Sequence, residues 1–438
     1  MKYDIGALLD SGRTGGYQRW LVFLTALTIV FDGIDNQLLG VVIPTVMDEW
    51  KVPRSAFAPA VSAGLAGMMV GGALSGMAGD RFGRRRALLT SMALFGATTL
   101  AIAGVRNISE LAMLRFVAGI GLGGALPNAA TLAAEFVSRA GRPMAVTATI
   151  VCVPLGGTVA GLLGNRLLGT TDWRMLFVAG GAAPLLAAAV LWRALPESPR
   201  FLARHPSRWP DLARLARRLG HPVTPDATFE DSTERASAGA PLSSLFNPGF
   251  RRDTVALWFS FSSCLLAVYL GFSWLPTVLA GAGFSPSVAS NGITAFNVGG
   301  VIGALASGAI MSRVGSRPAM LTMAVLAIAG AFTLSQMTIS TTVPLAPIMI
   351  MLTITGGLIN AIQTTMYALA TNVYPSAVRA TGVGAATAFG RTGAILSGYA
   401  GPWALSLGGS SSYFTMITVA MTICLLALAS VQRHVPGK

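Results

Sequence analysis

Two acids, Asp32 and Asp35, stand inside an apolar stretch that runs over residues 20–44. A charge at mid-bilayer costs roughly 2.5–3.5 kcal/mol even on a lenient insertion scale, so two in one stretch demand an explanation. In a helix Asp32 lies about 18 Å from Trp20 at 1.5 Å per residue, and Asp35 shares nearly the same face by i, i+3 spacing. Carboxylates so placed suit reversible protonation, or a fixed structural ion pair. Matching cations exist. Arg391 follows Arg379 in another apolar stretch, again about 18 Å in, and its fork suits a carboxylate bidentately, whether a ligand's or the protein's own. Arg115 enters a third stretch about six residues from its start. It is placed to hold Asp35 or Asp32 ionised until a proton arrives, since a nearby cation favours the charged form. The three histidines, His205, His221 and His434, fall outside every apolar stretch, so proton traffic at this depth rests on carboxylates. Cys152, Cys264 and Cys424 lie within apolar stretches without metal-ligand spacing and read as small core residues; no metal or cofactor is expected.

The elements that must position these groups follow from composition. The chain has 438 residues, is 53% hydrophobic and only 11% charged, against about 25% charged in soluble domains. Apolar blocks at 20–44, 57–79, 87–105, 110–135, 144–165, 174–194, 254–278, 288–311, 318–338, 344–371, 380–403 and 412–431 predict twelve membrane helices. Strand-type alternation is absent, which argues against a barrel. The net charge of +14 suggests nucleic acid only until it is mapped. With a cytoplasmic N-terminus, 24 of the 31 Lys and Arg fall on the cytoplasmic side, 5 on the other and two inside spans. That bias is topological, and no nucleic-acid partner is expected. No cleavable leader is expected either, because the first block is too long and is interrupted by acids.

One polar segment, 195–250, divides the chain into six-span halves, 1–194 and 251–438. Within it Leu212, Leu215 and Leu219 share a helical face beside Arg214, Arg217 and Arg218, which suits either an anionic membrane surface or a solvated tether. The halves repeat each other. Gly76-Met-Ala-Gly-Asp80-Arg81-Phe-Gly83-Arg84-Arg85 follows the second span, and Gly308-Ala-Ile-Met-Ser312-Arg313-Val-Gly315-Ser-Arg317 follows the eighth. Arg142 before the fifth span is echoed by Arg379 before the eleventh. The expected fold is an all-α membrane protein of twelve transmembrane helices in two pseudo-symmetric six-helix bundles, with a binding site between them.

The G-x-x-x-D-R-x-G-R-R loop resembles the signature loop of the major facilitator superfamily. Arg115-x-x-x-Gly119-x-Gly121-x-Gly123-Gly124 is similar to a second motif of that superfamily. Its glycines lie inside an apolar helix rather than at a strand-to-helix turn, so nucleotide binding is excluded. Asp32-Gly-Ile-Asp35, the run from Arg115 to Pro127-Asn128, Leu195-Pro-Glu197-Ser-Pro199, Trp274-Leu-Pro276 and Arg379-Ala-Thr-Gly-Val-Gly384 resemble the aromatic acid:proton symporter family, in order and over nearly the whole chain. Trp274-Leu-Pro276 is also read as an interfacial anchor and helix end.

The resemblance implies import of a small benzoate-, hydroxybenzoate- or phenylpropionate-like acid with protons, by a carrier and not an enzyme. It implies a multi-pass inner (cytoplasmic) membrane protein in contact with lipid, with both termini cytoplasmic; a monomer is expected. Asp32, Asp35, Arg115 and Glu135 are the candidate proton-coupling groups. For Glu135, the alternative is an interfacial acid beside Arg139 and Arg142. Arg391 is the candidate substrate anchor, unless it is spent on a salt bridge between bundles. Trp258, Tyr269, Phe296 and Tyr367 are candidates to sandwich an aromatic ring, with Asn297, Asn360 and Gln363 as polar neighbours. Gly76, Asp80, Arg81, Gly83, Arg84, Arg85, Arg313, Arg317 and Arg379 are the expected gating motif. Ser312 departs from it, standing where the second loop copy usually has an acid, and so predicts a weaker gate in the C-terminal half. A carrier of the same fold for a sugar, another organic acid or a drug is the alternative. Only Pro154-Leu-Gly156-Gly157 stands where a drug antiporter would carry a Gly-Pro-rich signature.

Overall fold

The apolar blocks become long helices in the computed structural model, which describes residues 2–11, 15–224, 227–231, 241–375 and 378–437. The first half holds α1 (Gly16–Trp50), α2 (Ala58–Phe82), α3 (Arg84–Ile102), α4 (Ile108–Glu135), α5 (Arg142–Leu167) and α6 (Arg174–Ala194). The second holds α7 (Arg251–Gly281), α8 (Pro286–Val314), α9 (Ser316–Gln336) and α10 (Leu345–Val373). The last stretch, Arg379–Ser430, leaves helical geometry at Gly408 and Gly409, which divide it into α11 (379–407) and α12 (410–430). Among the described residues, ten stretches are long and apolar enough to cross a membrane. The last of them contains two spans, and α3, which opens on three arginines, completes twelve.

Helix ends follow local chemistry. Gly83 and Gly315 turn the chain between α2 and α3 and between α8 and α9 at φ of 103° and 86°, a region open to glycine and costly for other residues. Asn107 caps α4 by accepting from the Glu110 amide at 2.9 Å, while the Glu110 carboxylate accepts from the Arg106 amide at 2.9 Å. The helix end expected at Pro276 is absent. α7 runs through it to Gly281, since membrane helices tolerate a proline where neighbours satisfy the freed carbonyl. Trp274 is not an interfacial anchor but is fully buried, its Nε1 donating to the Ser397 carbonyl at 3.0 Å.

Small residues set the packing, as lipid offers no hydrophobic drive between helices. Gly67 and Gly71 of α2 meet the backbone of α4 at Phe116 and Ile120, and Gly119 and Gly123 return the contact. In the second half Gly299 and Gly303 of α8 meet Thr353 and Gly357 of α10 in the same way.

Contacts between the halves gather away from the face that carries the termini. Ser62 Oγ donates to the Ile395 carbonyl at 2.9 Å, Asn165 Nδ2 to the Ser287 carbonyl at 3.0 Å, and Gly40 meets the backbone at Phe272. Toward the terminal face Gly76 of α2, Gly308 of α8 and Gly384 of α11 meet open space. The contacts between the bundles thus concentrate at one end.

The 195–250 segment is neither a membrane-surface helix nor a bare tether. Helices Pro199–Ala203 and Trp209–Arg218 bury Leu202, Leu212 and Leu215 together with Ile5 and Leu9 of the N-terminal helix Ile5–Asp10. Lys2–Asp4 pairs in parallel with Thr228–Glu230, a two-stranded addition to an otherwise helical fold. The amphipathic face suited a membrane surface or a tether, and protein covers it. Residues 225–226 and 232–240 of this segment lie outside the described residues.

Candidate functional site

Of the two α1 acids, Asp35 meets partners from two helices. Asp35 is fully buried. Arg115 of α4 donates to its Oδ2 at 3.2 Å and to its main-chain carbonyl at 3.3 Å, and Thr99 of α3 donates a short hydrogen bond to Oδ1. Both carboxylate oxygens are therefore engaged. Asp32, one turn away, is 2% exposed, and its Oδ1 has no hydrogen-bond partner among the described residues.

From the other half, Arg391 Nη1 donates to the Tyr269 phenol oxygen at 3.1 Å and lies 3.8 Å from Met68 Sδ. Asn36 Nδ2 reaches the same phenol at 3.5 Å. Among the described residues no carboxylate forms an ion pair with Arg391. Arg391 and Asp32 nonetheless lie within electrostatic reach of each other, as do Arg391 and Tyr367. Next along α1, Gln37 and Asn297 exchange hydrogen bonds at 2.7 and 3.2 Å across the halves.

The predicted ring-binding residues separate into groups. Tyr269 sits at the centre. Tyr367 is half-buried and meets Phe261 edge-on at 5.4 Å. Gln363 is half-buried on α10, while Asn360 is spent on the Gly356 carbonyl at 2.9 Å. Phe296 is wedged within its own bundle, where Gly271 and Gly356 make room for its ring. Trp258 is not brought to the cluster. It lies about 16 Å before Tyr269 along α7, stacked on Phe389 at 4.9 Å with Phe246 edge-on at 5.4 Å.

The loop motif forms a second cluster at the terminal face. Arg84 pairs with Asp80, Arg81 lies over the Phe82 ring, and Arg85 donates to the Trp192 carbonyl. Glu197 accepts from the amides of Arg85 at 2.9 Å and Ser198 at 3.0 Å. The Ser198 hydroxyl donates to Glu135, which lines a cavity of about 310 Å³ with Arg142 and Arg200. Arg379 holds the Tyr374 carbonyl at 3.2 Å, and Arg313 and Arg317 are exposed. A larger groove, about 870 Å³, lies on the flank between α7 and α12, lined by Arg251, Arg252, Phe259 and Leu426, far from the acids.

Sequence reasoning missed Asn36, Gln37, Thr99, Met68 and the roles of Glu197 and Ser198. Asn36 and Gln37 had a signal, since they extend the polar run begun by Asp32 within an apolar span. Thr99 and Met68 had none.

Two bundles joined across a polar midplane, their contacts concentrated at one end, define a membrane transporter rather than an enzyme. The model of the Major Facilitator Superfamily matches residues 25–398 and 283–438, and the chain belongs to that superfamily. The Gallate transporter of Pseudomonas putida is 33% identical over 97% of this chain and 94% of its own length. The 4-hydroxybenzoate transporter PcaK of Acinetobacter baylyi is 35% identical over 97% of this chain and 93% of its own. Among solved structures, the partially occluded inward open conformation of the xylose transporter XylE from E. coli aligns at a TM-score of 0.74 and 17% identity, covering 97% of this chain and 100% of that one.

Proposed function

We propose that this multi-pass membrane protein imports an aromatic carboxylate of the benzoate or hydroxybenzoate type together with a proton, by alternating access of units 1–194 and 251–438. The observation that carries the reading is Arg391. A guanidinium deep between the bundles, held by a phenol and a thioether and without a carboxylate partner among the described residues, is matched by a ligand's carboxylate. Tyr269, Tyr367 and Gln363 then face the ring and its substituents, and gallate and 4-hydroxybenzoate, for which the two relatives are named, are acids of this class. The proton-coupling groups are Asp32 and Asp35, with Arg115 as counter-charge.

The protein works as a monomer in the inner membrane, surrounded by lipid, with the terminal face cytoplasmic by the positive-inside bias. The geometry is then inward-facing, with its outer end closed by Gln37–Asn297, Ser62–Ile395 and Asn165–Ser287. Glu135, Arg379 and the 76–85 and 308–317 loops govern the cytoplasmic gate. A proton and a monoanion together carry no net charge, so a pH gradient alone drives accumulation.

The test is uptake of radiolabelled 4-hydroxybenzoate into proteoliposomes, with xylose as the competing probe. Wild type is expected to accumulate the acid when the outside is acidic, and Arg391→Gln to lose at least ten-fold. Uptake of xylose but not of any benzoate would overturn the reading.

A further inference from the structure

We infer that the two α1 carboxylates divide the coupling work: Thr99 and Arg115 hold Asp35 as a fixed anion, and Asp32 is the group that takes up and gives off the proton. The inference rests on the proposed proton-coupled reading and says which side chain performs it.

Asp35 is saturated. One carboxylate oxygen takes the Thr99 hydroxyl and the other takes Arg115, which also grips the Asp35 main-chain carbonyl. Arg115 is itself 5% exposed, and α2 closes over its guanidinium with a glycine, Gly64, where a Cβ would stand 3.5 Å from Nε. The cation is thus buried beside α1, and the charges of Asp35 and Arg115 offset each other. Both hydrogen bonds and the cation beside it act in favour of the anion.

Asp32 is the opposite case. It is as deeply buried, yet its Oδ1 lacks a hydrogen-bond partner among the described residues. A buried anion with an empty acceptor is costly, and the neutral acid removes most of that cost. The groups that face it are few. Asp35 lies on its own helix, already neutralised by Arg115 of α4. From α11 comes Arg391, with the phenols of Tyr269 on α7 and Tyr367 on α10 around that guanidinium. On α5 the thiol of Cys152 is turned onto its own helix at the Ala148 carbonyl.

Arg391 therefore links proton to substrate. With its charge unspent, it favours the Asp32 anion and helps expel the proton to water. When a substrate carboxylate pairs with it, that support disappears and Asp32 takes up a proton. Substrate and proton then favour each other's binding through one shared cation, a coupling that by linkage runs equally in both directions. No covalent bond other than Asp32 O–H forms or breaks.

The experiment compares wild type, Asp32→Asn, Asp35→Asn, Thr99→Val and Thr99→Ser in proteoliposomes with 4-hydroxybenzoate. Uptake driven by a pH gradient is measured beside substrate counterflow, which needs no net proton movement. Infrared spectra of the purified proteins without substrate follow the carboxylic-acid C=O stretch through a pH titration. Asp32→Asn is expected to lose at least ten-fold in gradient-driven accumulation, to keep counterflow and to lose the titrating band. Thr99→Val should keep the band and displace the pH profile of uptake, with Thr99→Ser restoring it; a merely structural threonine would lower activity at every pH alike. Accumulation by Asp32→Asn at the wild-type level would overturn the inference, as would loss of the band in Asp35→Asn with the band intact in Asp32→Asn. If Asp35→Asn fails to fold, the Asp32 and Thr99 variants decide alone. If wild type carries no benzoate, the substrate reading fails while the infrared titration still judges Asp32.

Discussion

The two copies of the loop motif share a backbone and differ in what holds it. Each turns on a positive-φ glycine, Gly83 or Gly315, and each is clamped by the segment that leaves its own bundle's last helix. In the first half the clamp is a carboxylate: Glu197 accepts from the Arg85 amide, beside the Asp80–Arg84 pair. In the second half the acids are gone. Ser312 stands for Asp80 and bonds its own helix at the Ala309 carbonyl, while Ser316 stands for Arg84. The tail meets the loop with neutral groups, and is itself tied to α7 by Asp253, which accepts from the Gln432 amide at 2.7 Å. Ser316 N donates to the Val435 carbonyl at 2.9 Å, Val435 N donates to Ser316 Oγ at 2.8 Å, and His434 Nδ1 sits 3.0 Å from that hydroxyl. The duplication kept the turn and exchanged charge for main-chain pairing, so the missing acid does not leave the second loop unclamped.

Breaking the charged clamp should have the largest effect. Glu197 is 3% exposed, and Glu197→Ala leaves two amides without an acceptor, a loss of about 1–3 kcal/mol. Thermal unfolding should shift down clearly, with uptake reduced several-fold. Ser316→Ala weakens the neutral clamp by removing the hydroxyl to which Val435 N donates, and that one lost hydrogen bond predicts about 1 kcal/mol. A fall in melting temperature as large as that of Glu197→Ala would erase the distinction between the halves.

The tail should also respond to pH through His434. Burial pushes the His434 imidazole below its usual value, and Arg317 adds to this, while the Val431 carbonyl and Asp253 oppose it. A group with a depressed folded-state value contributes no penalty when neutral, and destabilises the fold as pH falls below about 6.5, the unfolded value. Protease cleavage within residues 431–437 should therefore rise with acidity, and His434→Gln should flatten that dependence. The smallest effect belongs to Ser312→Asp. Without an arginine at 316 the new acid has no i, i+4 partner, so stability should move by about 0.5 kcal/mol or less in chemical denaturation. A larger gain would mean that the acid alone carries the motif.

Much of this was legible beforehand, for definite reasons. Blocks of apolar residues long enough to cross a bilayer have one structural outcome, so the spans stand close to where composition puts them. Asp32, Asp35, Arg115 and Arg391 announce themselves because charge is costly in that setting. Thr99 does not, since a threonine in an apolar helix satisfies itself on its own backbone as readily as it grips an acid. Trp258 was grouped with Tyr269 because aromatic residues carry no mark of which way they face. The face of Leu212 and Leu215 shows that something apolar must cover it, and cannot say whether that is lipid or protein.

The pairing of Lys2–Asp4 with Thr228–Glu230 bears on how the protein is made. Residues 2–4 find their partner strand only after all six helices of the first half have been synthesised. At about 5–20 residues per second that wait is on the order of ten seconds or more. The Lys2–Asp4 strand can thus close only over a first half whose six helices are already made.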